Sequence, residues 1–176
     1  PNGIAPEWLD GAAREDCENP LRVGFAGKMT KRKRPLDALA AVHKACEDGV
    51  PCVLRAVGEG KLMNELIAGL HEGDAYLGVA HDMDAMKRFY AGVDVLLVPS
   101  SAETFGMVYL EAMSQGVPVL YTRGQGFDGQ FEEGEVGYSV VCGDVKQQAR
   151  MLGDIAHEYG MRSARCIDRA KDYAWP

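Results

Sequence analysis

The stretch Val93-Asp94-Val95-Leu96-Leu97-Val98-Pro99-Ser100-Ser101-Ala102-Glu103-Thr104-Phe105-Gly106-Met107-Val108-Tyr109-Leu110-Glu111-Ala112-Met113 decides how this chain folds. Val95 to Val98 is an apolar, β-branched run stopped by Pro99, the pattern of a parallel strand buried on both faces. Ser100, Ser101 and Ala102 make a short polar turn. From about Phe105 the residues favour a helix, which Gly116 and Pro118 bring to an end. Strand, turn and helix together are the layer unit that holds ligands at the carboxyl ends of its strands. Two carboxylates stand in it, Glu103 at the helix mouth and Glu111 inside the helix. A helix between them rises by about 9 Å and points the two side chains within about 80° of each other, so one extended ligand reaches both. Glu111 lies among Val108, Tyr109, Leu110, Ala112 and Met113, and a charge in such company needs a partner. By residue type alone, Glu103 also fits a first-turn acid facing the helix dipole, and Glu111 a solvated helix position.

Working outward, Glu103-Thr104-Phe105-Gly106 is followed by Glu111 after seven intervening residues, and then by Glu-Ala-Met-x-x-Gly-x-Pro-Val over 111–119. Preceded by Asp-Val-Leu-Leu-Val-Pro-Ser, this string resembles the retaining glycosyltransferases of family 4. The resemblance implies a GT-B fold, two Rossmann-like domains facing across a cleft, with this element in the C-terminal, donor-binding domain. It implies that Glu111 meets the ribose hydroxyls of the donor. It places Glu103, Thr104, Phe105 and Gly106 at the transferred sugar, with Glu103 as the catalytic candidate.

Upstream, Leu21 to Ala26 forms the first expected strand, and a helix is expected from Pro35 to Glu47, with proline at its first turn. Between them lies the basic cluster Lys28-Met29-Thr30-Lys31-Arg32-Lys33-Arg34. It fits a solvated charge run, a nucleic-acid or localisation patch, or a phosphate site at a helix N-terminus. The resemblance favours the last, because the family pattern Gly-Arg-x4-Lys is matched in spacing by Gly27-Lys28 and Lys33, implied binders of the donor diphosphate. Lys28 stands where the family has Arg and lacks its bidentate fork; the neighbouring Lys31 can share the role. Cys52 to Val57 is the second strand, and Gly58-Glu59-Gly60-Lys61 leads into a helix ending near Leu70, resembling the family's Val-Gly-x-Gly turn near the nucleoside. A P-loop is excluded, since its first glycine would fall on Arg55 and Leu62 replaces its Ser or Thr. Ala75 to Leu77 is a short third strand. A loop from Gly78 to Asp82 and a helix from Met83 to Ala91 follow. The resemblance sets the nucleobase beside Gly78 and Val79.

Downstream, a strand is expected over Pro118 to Tyr121, then Gly124-Gln125-Gly126-Phe127-Asp128-Gly129, a literal Gly-x-Gly-x-x-Gly. A dinucleotide fingerprint needs a helix directly after it and an acid about twenty residues on. Gly134 follows too soon for the helix, and the offset lands near Arg150. The stretch instead fits a loop closing over a ligand phosphate or sugar, where the family usually has Gly-Gly-x-x-Glu. Val136 to Val141 is the last strand. Asp144 caps a helix running to Tyr159, and another helix starts near Arg162. Pro1-Asn2-Gly3-Ile4 resembles the family's crossing between its two domains, and Ala174-Trp175 the approach to a terminal crossover helix. The expected organisation is an interdomain linker over 1–20, a donor domain over 21–160 and the start of a crossover helix over 161–176.

A chain of 176 residues with 47% hydrophobic residues is one domain's worth. A net charge of −7 argues against a general nucleic-acid or anionic-membrane binder. No apolar run reaches a membrane span. The five cysteines include no Cys-x-x-Cys, and Cys52 and Cys142 lie in apparent strands, which suits reduced thiols in the cytosol, without zinc or a disulfide framework. The alternation of strands and helices predicts an α/β three-layer sandwich with a Rossmann-like parallel sheet of about six strands, which the resemblance makes one half of a GT-B fold. It would bind a nucleoside-diphosphate sugar, UDP or GDP based, with no cofactor and no metal; Asp82-Met83-Asp84 is expected to cap a helix and not to hold an ion. The resemblance implies an acceptor bound by an N-terminal domain, the whole enzyme being expected in the cytoplasm or peripheral at the membrane's cytoplasmic face. A sugar-nucleotide 2-epimerase of the same fold and a non-catalytic nucleotide-binding module are the alternatives.

Overall fold

In the computed structural model, which describes residues 2–176, six strands form one parallel sheet. They are β1 (Leu21–Ala26), β2 (Cys52–Val57), β3 (Ala75–Tyr76), β4 (Val95–Leu97), β5 (Val119–Thr122) and β6 (Gly137–Val140), in the spatial order β3-β2-β1-β4-β5-β6. The apolar runs explain the centre: β4 and β5 are buried at every position, and Val23 and Gly24 of β1 pair with Val95 and Leu96. Every strand up to β5 returns to the next through a helix, the usual crossover between parallel neighbours, while β5 reaches β6 through a helix-free loop over 123–136. The helices are α1 (Pro35–Glu47), α2 (Met63–Ala68), α3 (Met83–Ala91), α4 (Met107–Ser114), α5 (Val145–Ile155) and α6 (Tyr159–Ala170). α1 packs on α5 and α2 over one face, and α4 packs on α6 over the other. The Tyr90 hydroxyl of α3 lies 3.3 Å from the Val108 carbonyl of α4, which sets α3 on that second side. The three layers expected from sequence are present.

The strand order reverses between β1 and β4. Loops leaving their carboxyl ends diverge there, and a parallel sheet opens a crevice at such a point. Pro35 opens α1 as expected, and Asp82 and Asp144 cap α3 and α5 by accepting hydrogen bonds from the Ala85 and Gln147 amides at 2.8 and 3.0 Å. Residues 5–20 contain a single 3-10 turn, Pro6–Trp8, yet they are not loose. Trp8 is buried, and the Arg14 guanidinium donates to the carbonyls of Tyr90, Val93 and Gln115. Ile4 pairs with Ala174, its amide bonding the Tyr173 carbonyl at 2.9 Å, so the two stretches expected to be domain crossings lie side by side. Pro1 of the expected crossing motif lies outside the described residues.

Four expectations need correction. α4 begins at Met107, not Phe105, because Gly106 takes φ +84 and breaks the helical path before it. The helix expected to run from Asp144 to Tyr159 ends at Ile155. Glu158 in the left-handed region turns the chain, and α6 then starts at Tyr159, ahead of Arg162. Cys142 lies beyond the end of β6 and is half-buried, while Cys52 is buried in β2 as expected. The helix after β2 covers only Met63–Ala68.

Candidate functional site

The crevice is built first by glycines. A Cβ on Gly58 would sit 1.8 Å from the Gly27 carbonyl oxygen, and one on Gly60 would sit 2.6 Å from that of Met29, so neither position has room for a side chain. Both also take positive φ, at +132° and +152°, which glycine alone adopts freely. With the side chains gone, the loops after β1, β2 and β3 knit together through their backbones. The Gly27 amide donates to Val57, the Met29 amide to Glu59 at 2.7 Å and the Gly58 amide to Gly78 at 2.9 Å.

Above this floor lies an open cleft of about 740 Å³. Its wall is apolar at Val57, Met63, Val79, Ala80, Met86 and Val108, and its charged groups are Lys28, Glu59 and Glu111. Three residues singled out in the sequence, Lys28, Val79 and Glu111, thus share one cavity although 83 positions separate the outer two. Gly78 does not face the cleft; its carbonyl is used by Gly58.

Glu111 enters from α4, half-buried, and finds the partner its surroundings demand. The Tyr90 hydroxyl donates to its Oε2 at 3.0 Å. Burial pushes the Glu111 carboxyl above its ordinary range, and the Tyr90 bond opposes that shift. Tyr90 is itself fully buried. Burial, and then the adjacent carboxylate, raise its phenol well above the usual value, so the hydroxyl keeps its proton and remains a donor. Trp8 braces the Tyr90 ring edge-on, with centroids 6.1 Å apart. Tyr90 gave no signal in sequence, because nothing local connects a helical tyrosine to a glutamate 21 positions away.

Glu103 and Lys33 form an ion pair, Lys33 Nζ donating to Glu103 Oε2, with only 15% and 10% of the two side chains exposed. The Lys33 stem passes over Gly27 on its way. Glu103 lies on a loop and not on the helix, and two neighbouring segments hold that loop. From the β1–α1 loop, the Arg32 carbonyl accepts the Ser101 amide at 2.8 Å and the Arg32 guanidinium donates to the Ala102 carbonyl at 3.2 Å. From the β5–β6 loop, Gln125 Oε1 accepts the Glu103 amide at 2.8 Å, and Gln125 Nε2 donates to Ser101. Gly126 presses on the same turn: a Cβ there would sit 1.5 Å from the Thr104 carbonyl oxygen. The Gly-x-Gly-x-x-Gly run is therefore a brace for the Glu103 turn. Thr104 is exposed, while the Phe105 ring is buried against Phe127 and Tyr173. Among the described residues no three His, Cys, Asp or Glu side chains gather as a metal site.

Residues 12–173, almost the whole of this αβ sandwich, match the family described as glycosyl transferases group 1. The chain belongs to that family. Among relatives of this glycosyl transferase group 1 domain, the D-inositol 3-phosphate glycosyltransferase of Streptomyces scabiei is 30% identical over 180 residues, covering 92% of this chain and 39% of that protein. The phosphatidyl-myo-inositol mannosyltransferase of Mycobacterium leprae is 33% identical over 161 residues, 86% of this chain and 42% of that protein. The chain thus spans about two fifths of the curated relatives' length. Its fold is that of the C-terminal domain of LpcC, a glycosyl transferase group 1 family protein of Francisella tularensis, with a TM-score of 0.80 at 19% identity and 97% of each chain covered. The pneumococcal O-GlcNAc transferase GtfA, solved with UDP and GlcNAc, superposes with a TM-score of 0.75 at 20% identity, over 94% of this chain and 35% of its own.

Proposed function

We propose that this domain holds the donor of a retaining glycosyltransferase, which moves a hexosyl group from a nucleoside-diphosphate sugar to an acceptor carried by a further domain. The observation that carries the reading is the single cleft at the sheet's switch point, where Lys28, Val79 and Glu111 meet and beside whose Gly27 the Lys33–Glu103 pair is assembled. Glu111 accepts the two ribose hydroxyls. Those O–H donors favour its charged form and offset the burial that raises its pKa. The base lies against Val79 and Met86, with the Gly78 turn behind it. Lys28 and Lys33 neutralise the diphosphate, which with backbone amides makes a divalent metal unnecessary. Glu103, with Thr104 and the Phe105 and Gly106 amides, orients the sugar. Fixed orientation at the anomeric carbon is worth more as charge develops there. The departing phosphate oxygen takes the acceptor's proton, and retention follows from attack on the same face. UDP is the preferred carrier, by analogy with GtfA.

Calorimetric titration of the chain with UDP, GDP, ADP and uridine tests the assignment. The expected result is binding of at least one diphosphate, and much weaker binding of the bare nucleoside. A folded chain that binds no nucleoside diphosphate overturns the reading.

A further inference from the structure

At the end of the sheet opposite the cleft, two cysteines lie in contact. Cys46 sits in the last turn of α1 and is exposed; Cys52 is the first residue of β2 and is buried. Their sulfurs are 3.7 Å apart. The approach is enforced by the turn between them. The Gly49 amide donates to the Cys46 carbonyl at 3.1 Å and the Val50 amide to the Ala45 carbonyl at 2.9 Å, with Gly49 in the left-handed conformation that ends helices. The turn folds β2 back along the helix, so the thiols meet through local structure and not by chance diffusion. Besides that sulfur–sulfur contact, each thiol donates to a carbonyl, Cys46 to that of Cys52 at 3.1 Å and Cys52 to that of Val42 at 3.3 Å.

The geometry points to Cys46 and Cys52 as a reversible thiol–disulfide site, oxidised by low-molecular-weight disulfides. The Cys46 thiolate attacks one sulfur of the oxidant, forms a mixed disulfide and releases one small thiol. Cys52 then loses its proton and attacks the Cys46 sulfur, and the second small thiol leaves. Two protein thiols become one disulfide, and one small disulfide becomes two small thiols. The sulfurs close from 3.7 Å to about 2.05 Å. Burial first, and then the neighbouring Cys46 and Asp74, push the Cys52 thiol far above its ordinary range, so the exposed Cys46 starts the exchange and Cys52 completes it. The product ties α1 to β2 at the end of the fold remote from Lys28 and Glu111. It leaves the cleft unaltered and raises thermal stability. The inference is independent of the nucleotide reading.

The test treats the folded chain with oxidised glutathione at mildly alkaline pH and reads intact mass, peptide maps and melting. The expected product has lost two hydrogens, maps to a Cys46–Cys52 crosslink, melts higher and reverts with dithiothreitol. Cys46→Ser should abolish the crosslink. Cys52→Ala, which keeps the packing volume small and apolar, should stop at a stable Cys46–glutathione adduct. A wild-type chain that stops at that adduct, a crosslink that maps to Cys17, Cys142 or Cys166, or a two-hydrogen loss surviving in Cys46→Ser overturns the proposal. Unchanged nucleotide binding by the crosslinked chain is expected; its loss would refute the placement of the site away from the cleft.

Discussion

Glu111 holds a charge where the protein disfavours one, and that tension makes it separable from an ordinary core residue. A carboxyl whose pKa is raised by folding binds protons more tightly in the native chain than in the unfolded one. Stability therefore falls as pH rises from the usual Glu range, about 4.3, through the raised value. Glu111→Gln removes the charge and keeps an acceptor for the Tyr90 hydroxyl. Its melting temperature should match the wild type in acid and exceed it at pH 7, while nucleoside diphosphate affinity falls by about 1.5–3 kcal/mol, the usual worth of a hydrogen bond to a charged group. Melting at both pH values, with calorimetry at pH 7, checks this; a variant that loses stability and affinity together would mark Glu111 as a structural residue. The Lys33–Glu103 pair gives a second test. Glu103 holds the Lys33 ammonium in an ion pair, so under the proposed function a diphosphate must compete with it for that ammonium. Lys33→Ala should weaken diphosphate binding by about 1.5–3 kcal/mol and leave uridine binding alone. Glu103→Gln should bind diphosphate as well as or better than the wild type, yet lower turnover in the whole enzyme. If Glu103→Gln weakens the diphosphate as much as Lys33→Ala does, the glutamate orients the lysine and does not compete with the ligand.

At the scale of elements, the loops after β4 and β5 act as one unit. Gly126→Ala places a methyl carbon 1.5 Å from the Thr104 carbonyl, with backbone on both sides, so one loop must move. A cost of about 1–3 kcal/mol is expected from such overpacking, seen as a lower urea midpoint with unchanged slope. Gly124→Ala meets nothing within 4 Å and should cost only its left-handed backbone penalty, about 1 kcal/mol. Equal losses would show that the close approach of Gly126 to Thr104 does not set the cost. The same loops mark where the sequence stopped being legible. Strands β1 and β2 and helices α1 and α3 could be placed to the residue, because apolar runs, Pro35, Asp82 and bounding glycines are local signals. The start of α4 could not, since Gly106 takes a positive φ and only its missing side chain lets the Tyr109 ring pack there, 2.6 Å from where a Cβ would sit. The break at Glu158 had no glycine to announce it. At the site, the residue types and spacings of Lys28, Lys33, Glu103 and Glu111 were readable, but their pairings were not. The Lys33–Glu103 contact spans 70 positions, and the Gln125 and Tyr90 partners are chosen by tertiary packing alone.

For the whole molecule, the site hangs on long-range braces. Trp8 and Arg14, from residues preceding the sheet, fix α3 through Tyr90, and Tyr90 fixes Glu111. Phe105, Phe127, Phe131 and Tyr173 form a chain of ring contacts from the Glu103 turn to the stretch that pairs with Ile4. Ligand and fold are thereby coupled: a nucleoside diphosphate that binds only the native cleft must stabilise the entire chain. At a free concentration 100 times the dissociation constant the gain is about 2.7 kcal/mol. For a chain of 176 residues that corresponds to a rise of about 5–10 °C in melting temperature. The rise should grow with the logarithm of ligand concentration and shrink in Glu111→Gln and Lys33→Ala. The chain spans only about two fifths of its curated relatives, and under the proposed function Glu103, Lys28, Lys33 and Glu111 all address the donor. A donor half supplies no surface to hold an acceptor in line with the anomeric carbon, and that alignment accounts for much of the rate in a two-substrate transfer. The chain alone should therefore show the thermal shift with UDP-sugars and no measurable transfer to added acceptors. Transfer at a rate comparable to that of the longer relatives would place an acceptor site within these residues and overturn that division.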